Sequence, residues 1–335
     1  MNANPAAWRA ISTLYNALVT ALVVSLVTRR GAGIAREYVF RHFRRQHLEK
    51  FLAGLSKLGL TGHPPAVACA LYHYHSNALG GVKTEYFRES DRKAWVRYPP
   101  PRWMWKGTAI AAIPHEVSAA MLHGWHGHNG VSLGNRRLGF VCTGMTVDGM
   151  PGLEGFYFEH DRELAEEERV RFAYGTETMP RFVPTLAPAL EVTAWPAERL
   201  QRVRRRYAMD YVRTLLAVLE DLLGPVEASA ELGRVARLVG LQCQEEAMQE
   251  FTASGTNSAQ AFAAWLLSVM VDQGETAEVH VSGESISARL EGWQLAHGLD
   301  LADPAAAFAA WGELWQGACA AHDRFLRLDI ARAGT

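Results

Sequence analysis

The stretch KTEYFRESDRKAWVRY, residues 83–98, determines the class of fold. Its flanks, residues 83–88 and 93–98, alternate polar with apolar or aromatic side chains, a period of two that is typical of strands. The polar sequence ESDR between them supplies a turn, so the stretch predicts a β-hairpin. Helical patterns precede it at residues 34–60 and 66–79. Because strands and helices are separate along the chain, we expect an α+β fold rather than a βαβ repeat.

The order of elements around this hairpin recurs in the C-terminal part of the chain. Helices are predicted at residues 200–223, 230–250 and 258–271, before a second strand–turn–strand pattern at residues 278–290. We therefore expect two related lobes, each of helices packed on a small antiparallel sheet, from an internal duplication; low identity between them leaves coincidence open. The expected parts are an N-terminal apolar helix or arm over 1–33, a first lobe over 34–179, a Pro-rich linker over 180–199 and a second lobe over 200–335.

Further elements complete each lobe. In the first lobe the pattern predicts a helix at residues 114–122 and strands at residues 137–143, 155–160 and 169–174. In the second lobe Asp303 and Pro304 open a helix that runs to about Ala321, and a strand is expected at residues 322–330.

Composition limits the class of partner and the location. With 34 basic and 35 acidic residues the chain has a formal net charge of -1, so it lacks the excess of positive charge that is typical of nucleic-acid-binding proteins. The four cysteines lack CxxC spacing, so buried free thiols in a reducing, cytoplasmic setting are expected.

Residues 15–27 form an apolar run that Arg29 and Arg30 follow. We expect a buried or partner-packing helix there; membrane association is the alternative. Assembly into a homo-oligomer is left open.

The strongest indication of chemistry is a concentration of histidines in a glycine-rich segment, PHE at residues 114–116 and HGWHGHNG at residues 123–130. In an extended segment His126 and His128 project to the same side and can bind one ion. We expect a zinc or manganese ion there, held by His126 and His128 with His123 or His75, and an open position for water. The alternative is a set of polar loop side chains, since the spacing matches no strong metalloprotease motif.

Several other side chains are candidates for catalysis or substrate binding. His115 and Glu116 at a helix start, and Glu154 before an apolar strand, are candidate bases or ligands. Cys142 is a candidate nucleophile if a histidine lowers its pKa, and a packing thiol otherwise. Candidate substrate contacts are His73, Asn77, Trp125, Arg102 and Arg137. Either arginine could bind a substrate carboxylate through its fork of donors.

One region of the chain resembles a known family. The predicted helices, hairpin and helix are followed by LGFVC at residues 138–142, Asp148, GFYF at residues 155–158 and RVRF at residues 169–172. This order resembles the L-2-amino-thiazoline-4-carboxylic acid hydrolase family, which has a strand carrying a Cys and a downstream Asp. Glu166–Glu168 stands where that family has a Gly-Asp turn, and its second Cys is missing. The resemblance implies hydrolysis of a small sulfur- or nitrogen-containing ring, such as a thiazoline or thiohydantoin.

Together these patterns predict a metal-dependent hydrolase that acts on a small, carboxylate-bearing heterocycle. A metal-bound or histidine-activated water would attack a C=N or C=S carbon, with Glu116 or Glu154 as the base. The alternative is a non-catalytic domain that senses or carries a small molecule, a metal or haem. A third class, a membrane-surface partner protein, depends on residues 15–27. Dinucleotide, P-loop and nucleophile-elbow motifs are absent from the sequence.

Overall fold

A computed structural model describes residues 5–190, 195–249, 251, 258–282 and 285–330. The chain divides into two compact units, Leu26–Leu200 and a second unit made of Met1–Ser25 with Gln201–Thr335. The described residues form nine α-helices, a five-stranded sheet and a two-stranded sheet, which confirms the α+β class. The sheets of the two units differ in size, and the structure does not show the expected duplication.

The unit Leu26–Leu200 is built from helices that cover one sheet. After the end of the N-terminal helix α1 (Pro5–Arg30), its helices are α2 (Ala32–Lys57), α3 (Pro65–Leu79), α4 (His115–Gly124) and the single turn α5 (Asn129–Ser132). Its strands are β1 (Glu85–Arg88), β2 (Lys93–Tyr98), β3 (Leu138–Gly144), β4 (Leu153–Glu159) and β5 (Val170–Phe172). The strand order is β1-β2-β4-β3-β5, antiparallel except for the parallel pair β3–β5.

The two faces of this sheet have different neighbours because side chains alternate along each strand. On one face Trp95, Val141 and Phe156 are buried together with Met179. On the other face Phe140 and Tyr157 contact the ring of His126. The histidines and the apolar core therefore lie on opposite sides of the same strands.

Helix α4 packs closely on α2, and this contact fixes the end of α4. A Cβ on Gly124 would lie 2.6 Å from the carbonyl oxygen of Phe40, so only glycine allows this approach. Arg44 of α2 donates from Nε to the carbonyl oxygen of Gly124 at 2.9 Å and from a terminal nitrogen to that of His123 at 3.1 Å. These bonds satisfy carbonyl groups at the end of α4 that have no partner within the helix.

The other unit contains α1 (Pro5–Arg30) up to Ser25, α6 (Ala197–Leu223) from Gln201, α7 (Pro225–Met248), α8 (Ser258–Asp272), α9 (Pro304–His322) and the hairpin β6–β7 (Thr276–Ser282, Ser285–Glu291). Asp303 caps α9 by accepting from the N–H of Ala306 at 2.9 Å, as its place before Pro304 predicts. The strand expected at residues 322–330 is wrong. His322 ends α9, and residues 323–330 are irregular with no paired strand in the described chain.

Helix α1 is a long apolar helix with a largely buried side. Leu14, Tyr15, Leu18 and Leu22 are fully buried. Among the described residues α1 is the one helix long and apolar enough to cross a membrane, which is weak evidence because buried core helices pass the same test. Cys69, Cys142 and Cys319 are buried free thiols, as expected, whereas Cys243 is a free thiol that is only partly buried.

Candidate functional site

The end of β3 brings an acidic side chain close to the start of α4. The β3–β4 register shifts between Cys142 and Gly144, and the chain then forms a 3-10 turn, Thr146–Asp148. Gly149 follows with φ of 80°, a left-handed conformation that glycine adopts at little cost. The turn therefore ends on Asp148 and leaves its carboxylate beside the first residue of α4.

His115 and Asp148 form a hydrogen-bonded dyad. Nδ1 of His115 lies 2.9 Å from Oδ2 of Asp148, and because a carboxylate accepts, Nδ1 carries the proton and donates. The hydroxyl of Tyr174 donates to the same Oδ2 at 3.0 Å. The rings of Phe172 and Tyr174 flank the imidazole, with centroids 5.2 and 6.3 Å away. The carboxylate thus fixes both the tautomer and the orientation of His115.

The dyad is open to solvent. The side chain of His115 is 43% exposed and that of Asp148 is 26% exposed. With Nδ1 bound to the carboxylate, Nε2 is the nitrogen that can accept a proton from water or a substrate. Burial raises the pKa of Tyr174, and its hydrogen bond to Asp148 acts in the same direction, so the phenol stays protonated and keeps donating.

Cys142 and Glu154, two further sequence candidates, lie close enough to influence each other. Burial raises the pKa of the Cys142 thiol to about 12, and the carboxylates of Asp148 and Glu154 add to this rise. The thiol is therefore protonated at neutral pH and donates to the carbonyl oxygen of Gly144 at 3.4 Å. Glu154 accepts from Thr143 Oγ1 at 3.2 Å and from the N–H of Met179 at 3.1 Å, contacts that give it a structural role.

The remaining candidates outside the histidine region are spread apart. Glu116 is exposed on the first turn of α4. Arg137 forms an ion pair with Glu159 where β3 begins and β4 ends. Asn77 donates to the carbonyl oxygen of His73, one helical turn earlier, at 2.7 Å. Neither Glu116 nor Arg137 has a contact with the dyad among the interactions of the described residues.

Four buried or half-buried histidines, His47, His73, His126 and His128, form what we call the histidine cluster. The rings of His73 and His126 stack with centroids 4.3 Å apart and planes 7° from parallel. His47 and His128 meet edge to face at 5.3 Å. Trp125 contacts His47 and His73. His47 is also bonded through Nε2 to Ser132 Oγ at 2.8 Å.

The histidine cluster is uncharged at neutral pH. Burial, with a smaller contribution from the positive charge of Arg102, lowers the pKa of His73 to about 3. Burial also lowers the pKa of His126 well below its usual value, with smaller contributions from the nearby side chains of His73, Arg102 and His47. His73 Nε2, His126 Nδ1 and Asn129 Oδ1 are buried with no hydrogen-bond partner among the described residues.

The predicted metal ligands do not come together. His126–His128 is a 3-10 turn, not an extended segment, so the two rings do not project to one side. Because His73 and His126 are parallel, their in-plane lone pairs cannot meet at an ion about 2 Å from both.

The other two predicted ligands lie elsewhere. His123 contacts Phe172 and His75 contacts Tyr74. No group of three or more His, Cys, Asp or Glu among the described residues is placed to hold a metal ion. The side chains do not fit a zinc or manganese site in this arrangement.

A cavity of about 190 Å³ lies beside the dyad. It is lined by the loop from Pro100 to Gly107, by Ser118 and Met121 of α4, and by Thr146 and Val147 of the turn that carries Asp148. Trp105 in this loop has φ of 58°, an unfavourable conformation for a bulky residue that is typical of functional sites. The cavity and the dyad therefore share α4 and the 146–148 turn.

Sequence patterns alone miss the role of Tyr174 and of His47. Tyr174 lies in a turn two residues after the end of β5, and its ring centroid is 6.1 Å from that of Phe172. The strand predicted at residues 169–174 has a period of two that places these two rings on one side, so this signal could have paired Tyr174 with the dyad. His47 lies on the buried side of α2 and is 1% exposed. No local sequence pattern distinguishes this buried histidine from an exposed one.

Similarity to other proteins gives no further assignment of these residues. The roles proposed below rest on the contacts of the described residues. Comparison of this chain with protein families, with curated proteins and with solved structures finds no match.

Proposed function

We propose that the protein is a hydrolase in which His115, oriented by Asp148, activates a water molecule against a small ring substrate. The observation that carries this proposal is the His115 Nδ1–Asp148 Oδ2 hydrogen bond of 2.9 Å, with Tyr174 on the same oxygen at 3.0 Å. A histidine oriented by a carboxylate is the arrangement that general-base catalysis requires. The resemblance to the thiazoline-carboxylate hydrolases supports the same reaction class.

The reaction consumes one water per ring opened. Nε2 of His115 takes a proton from water, and the resulting hydroxide adds to the electrophilic C=N or C=S carbon. The ring bond from that carbon to nitrogen or sulfur then breaks, and the imidazolium returns its proton to the leaving atom. Asp148 stabilises the imidazolium between these steps through the same hydrogen bond.

The neighbouring groups have supporting roles in this mechanism. The protonated phenol of Tyr174 holds the Asp148 carboxylate in place. Cys142 is 0% exposed and protonated, so it packs beneath the dyad and does not attack the substrate. The cavity shares α4 and the 146–148 turn with the dyad, so we assign it to the substrate.

The proposed setting is cytoplasmic. The buried free thiols of Cys69, Cys142 and Cys319 suit a reducing compartment. The apolar face of α1 is treated as a packing surface in this proposal, because Leu14, Leu18 and Leu22 are already buried.

The test is a turnover screen with a panel of thiazoline, thiohydantoin and hydantoin carboxylates in buffer treated with a chelator. Ring opening is followed by liquid chromatography, and thiol release by a colorimetric reagent. Wild-type protein should open at least one ring, and His115→Gln should lose about 10²–10⁴-fold in rate. Glu116→Gln, the exposed neighbour on α4, is the matched control and should keep wild-type turnover.

Two outcomes contradict the proposal. Turnover that survives in His115→Gln would exclude the dyad as its source, and turnover lost equally in Glu116→Gln would point to a non-specific effect on α4. Ligand binding without any turnover across the panel would favour the alternative, a non-catalytic small-molecule-binding protein, for which the cavity is the supporting observation.

A further inference from the structure

The cavity beside the dyad carries positive charge and no negative charge. Arg102 and Lys106 line it, and the described lining residues include no Asp or Glu. The hydroxyl-bearing side chains of Ser118 and Thr146 are the other polar groups in the lining. A partly enclosed site whose described lining holds two cations and no carboxylate favours an anion.

Arg102 is held in a defined position with a donor to spare. Its guanidinium carbon lies 4.5 Å from the centre of the Tyr98 ring, a cation–π contact. Its Nε is buried and has no hydrogen-bond partner in the described part of the chain. Arg102 lines the cavity, and a carboxylate is the acceptor whose geometry fits the fork of donors of a guanidinium.

The charge of Arg102 also reaches the histidine cluster. It contributes to the lowered pKa of His73 and of His126, after burial. Because those imidazoles are neutral, they do not compete with Arg102 for an anion.

The rest of the cavity wall is apolar and suited to a flat ring. Met104, Trp105 and Met121 are buried and line it, so two thioethers and an indole face the same space. Thioether sulfur makes favourable contacts with aromatic rings, and methionine adapts its shape to a planar guest. The volume, about 190 Å³, corresponds to about six water molecules at roughly 30 Å³ each, enough for one ring with a short substituent.

We propose that this cavity binds a small aromatic or heteroaromatic carboxylate, with the carboxylate on Arg102 and the ring between Met104, Trp105 and Met121. Lys106 adds charge at the exposed mouth of the site. This inference rests on the proposed function in one respect: it identifies the ring carboxylate as the substrate class of the dyad. The binding itself is measured without turnover.

The test is calorimetric titration of the full-length protein with benzoate and with benzamide, its neutral isostere. Benzoate should bind saturably and at least about tenfold tighter than benzamide, because only the carboxylate pairs with Arg102. Arg102→Met keeps an apolar side chain of similar length and should weaken benzoate binding by about tenfold or more, with little change for benzamide. Lys106→Met should have a smaller effect, since Lys106 is exposed.

Arg137→Met is the matched control, an exposed arginine paired with Glu159 at the ends of β3 and β4, and should bind benzoate like wild type. Circular dichroism checks that each variant folds. If Arg102→Met does not fold, the comparison of benzoate with benzamide on wild-type protein still shows whether the carboxylate contributes to binding. Equal affinity for the two probes, no saturable benzoate binding, or wild-type affinity in a folded Arg102→Met would each overturn the proposal.

The same titration separates this inference from the proposed function. His115→Gln should bind benzoate with unchanged affinity, because His115 does not line the cavity. Benzoate binding without ring-opening activity would support the carboxylate site and contradict the proposed hydrolase function. Turnover that depends on His115, without benzoate binding, would support the hydrolase function and contradict the carboxylate site.

Discussion

At the scale of the residue, the dyad is the smallest unit that carries the proposed chemistry. His115 is an exposed side chain whose function comes from one neighbour, Asp148, 33 residues later in the chain. Replacing Asp148 by Asn keeps the shape but turns a pure acceptor into a group that can also donate. The imidazole then loses the partner that fixes its tautomer and stabilises its charge.

We therefore expect Asp148→Asn to lower kcat/KM for ring opening by about 10²–10⁴-fold, the range typical of a general base that loses its function. Tyr174→Phe removes only the second bond to the carboxylate and should cost about tenfold or less, close to the worth of one hydrogen bond to a charged group. Steady-state kinetics on both variants shows whether the loss in kcat/KM is larger in Asp148→Asn than in Tyr174→Phe. A larger loss in Tyr174→Phe than in Asp148→Asn would contradict the assigned roles.

Buried histidines link stability to pH. Burial lowers the pKa of His42 to about 3, below the ordinary value of 6.5. Between these values the unfolded state binds more protons, so the stabilisation is present above about pH 6.5 and is lost as the pH falls toward the folded-state pKa. Each such histidine adds a slope of up to about 1.4 kcal/mol per pH unit to the free energy of unfolding.

We expect His42→Gln, whose amide does not titrate, to lower that slope by about 1 kcal/mol per pH unit between about pH 5 and 6. Glutamine can still accept from the Tyr38 hydroxyl, which lies 3.2 Å from Nδ1 of His42. Urea unfolding at a series of pH values measures the slope. The exposed His63→Gln is the control and should leave it unchanged; an unchanged slope in His42→Gln would show that His42 is not buried and neutral.

At the scale of the element, the packing of α4 on α2 sets the position of His115. A Cβ on Gly124 would lie 2.6 Å from the carbonyl oxygen of Phe40 and 3.0 Å from Cβ of Phe43. Neither neighbour is the flexible end of a side chain, so the two helices would have to separate. Overpacking of this kind costs about 1–3 kcal/mol.

We expect Gly124→Ala to lower the free energy of unfolding by about 1–3 kcal/mol and to reduce activity through displacement of α4. Gly33→Ala in α2 is the matched control, because its added Cβ meets nothing within 4 Å. Alanine should stabilise that position by about 0.5–1 kcal/mol, the usual gain over glycine in a helix. Urea denaturation of both variants tests the pair; equal effects of the same sign would contradict the close approach of α4 to α2.

The elements were predictable where their pattern is local. The hairpin β1–β2 and helices α2 and α3 follow from alternation and from helical stripes in the sequence. The segment His126–His128 was predicted wrongly as extended because its conformation depends on a distant contact. A Cβ on Gly127 would lie 2.9 Å from a methyl group of Val170, so this turn is packed tightly against β5.

The site was predictable only in part for the same reason. His115, Cys142 and Glu154 stand out as chemical groups beside predicted elements, and they do lie in one region. The pairing of His115 with Asp148, and of Asp148 with Tyr174, depends on the bulge in β3 and on the crossover to the parallel strand β5, which no local spacing encodes.

At the scale of the whole molecule, stability should not depend on a metal ion. An ion that binds only the folded state raises its stability by RT ln(1 + [L]/Kd), so removing a bound metal lowers the Tm. The described residues present no group of three donors for one ion. We expect dialysis against a chelator to leave the Tm unchanged, and His126→Ala/His128→Ala to show the same insensitivity to chelator.

Elemental analysis of the purified protein, run with the thermal scans, is the check. About one equivalent of zinc or manganese, lost in the double variant and accompanied by a fall in Tm on chelation, would contradict the geometry of the histidine cluster. It would also restore the metal-bound water as the nucleophile.

The central claim is that His115 acts as the base, and chemical rescue tests it most directly. The measurement is the ring-opening rate of His115→Ala with and without added imidazole, on a substrate that the wild-type protein turns over. The account predicts a rate reduced by about 10²–10⁴-fold without imidazole and rising with imidazole concentration. A variant that turns over like wild type in the absence of imidazole would contradict it.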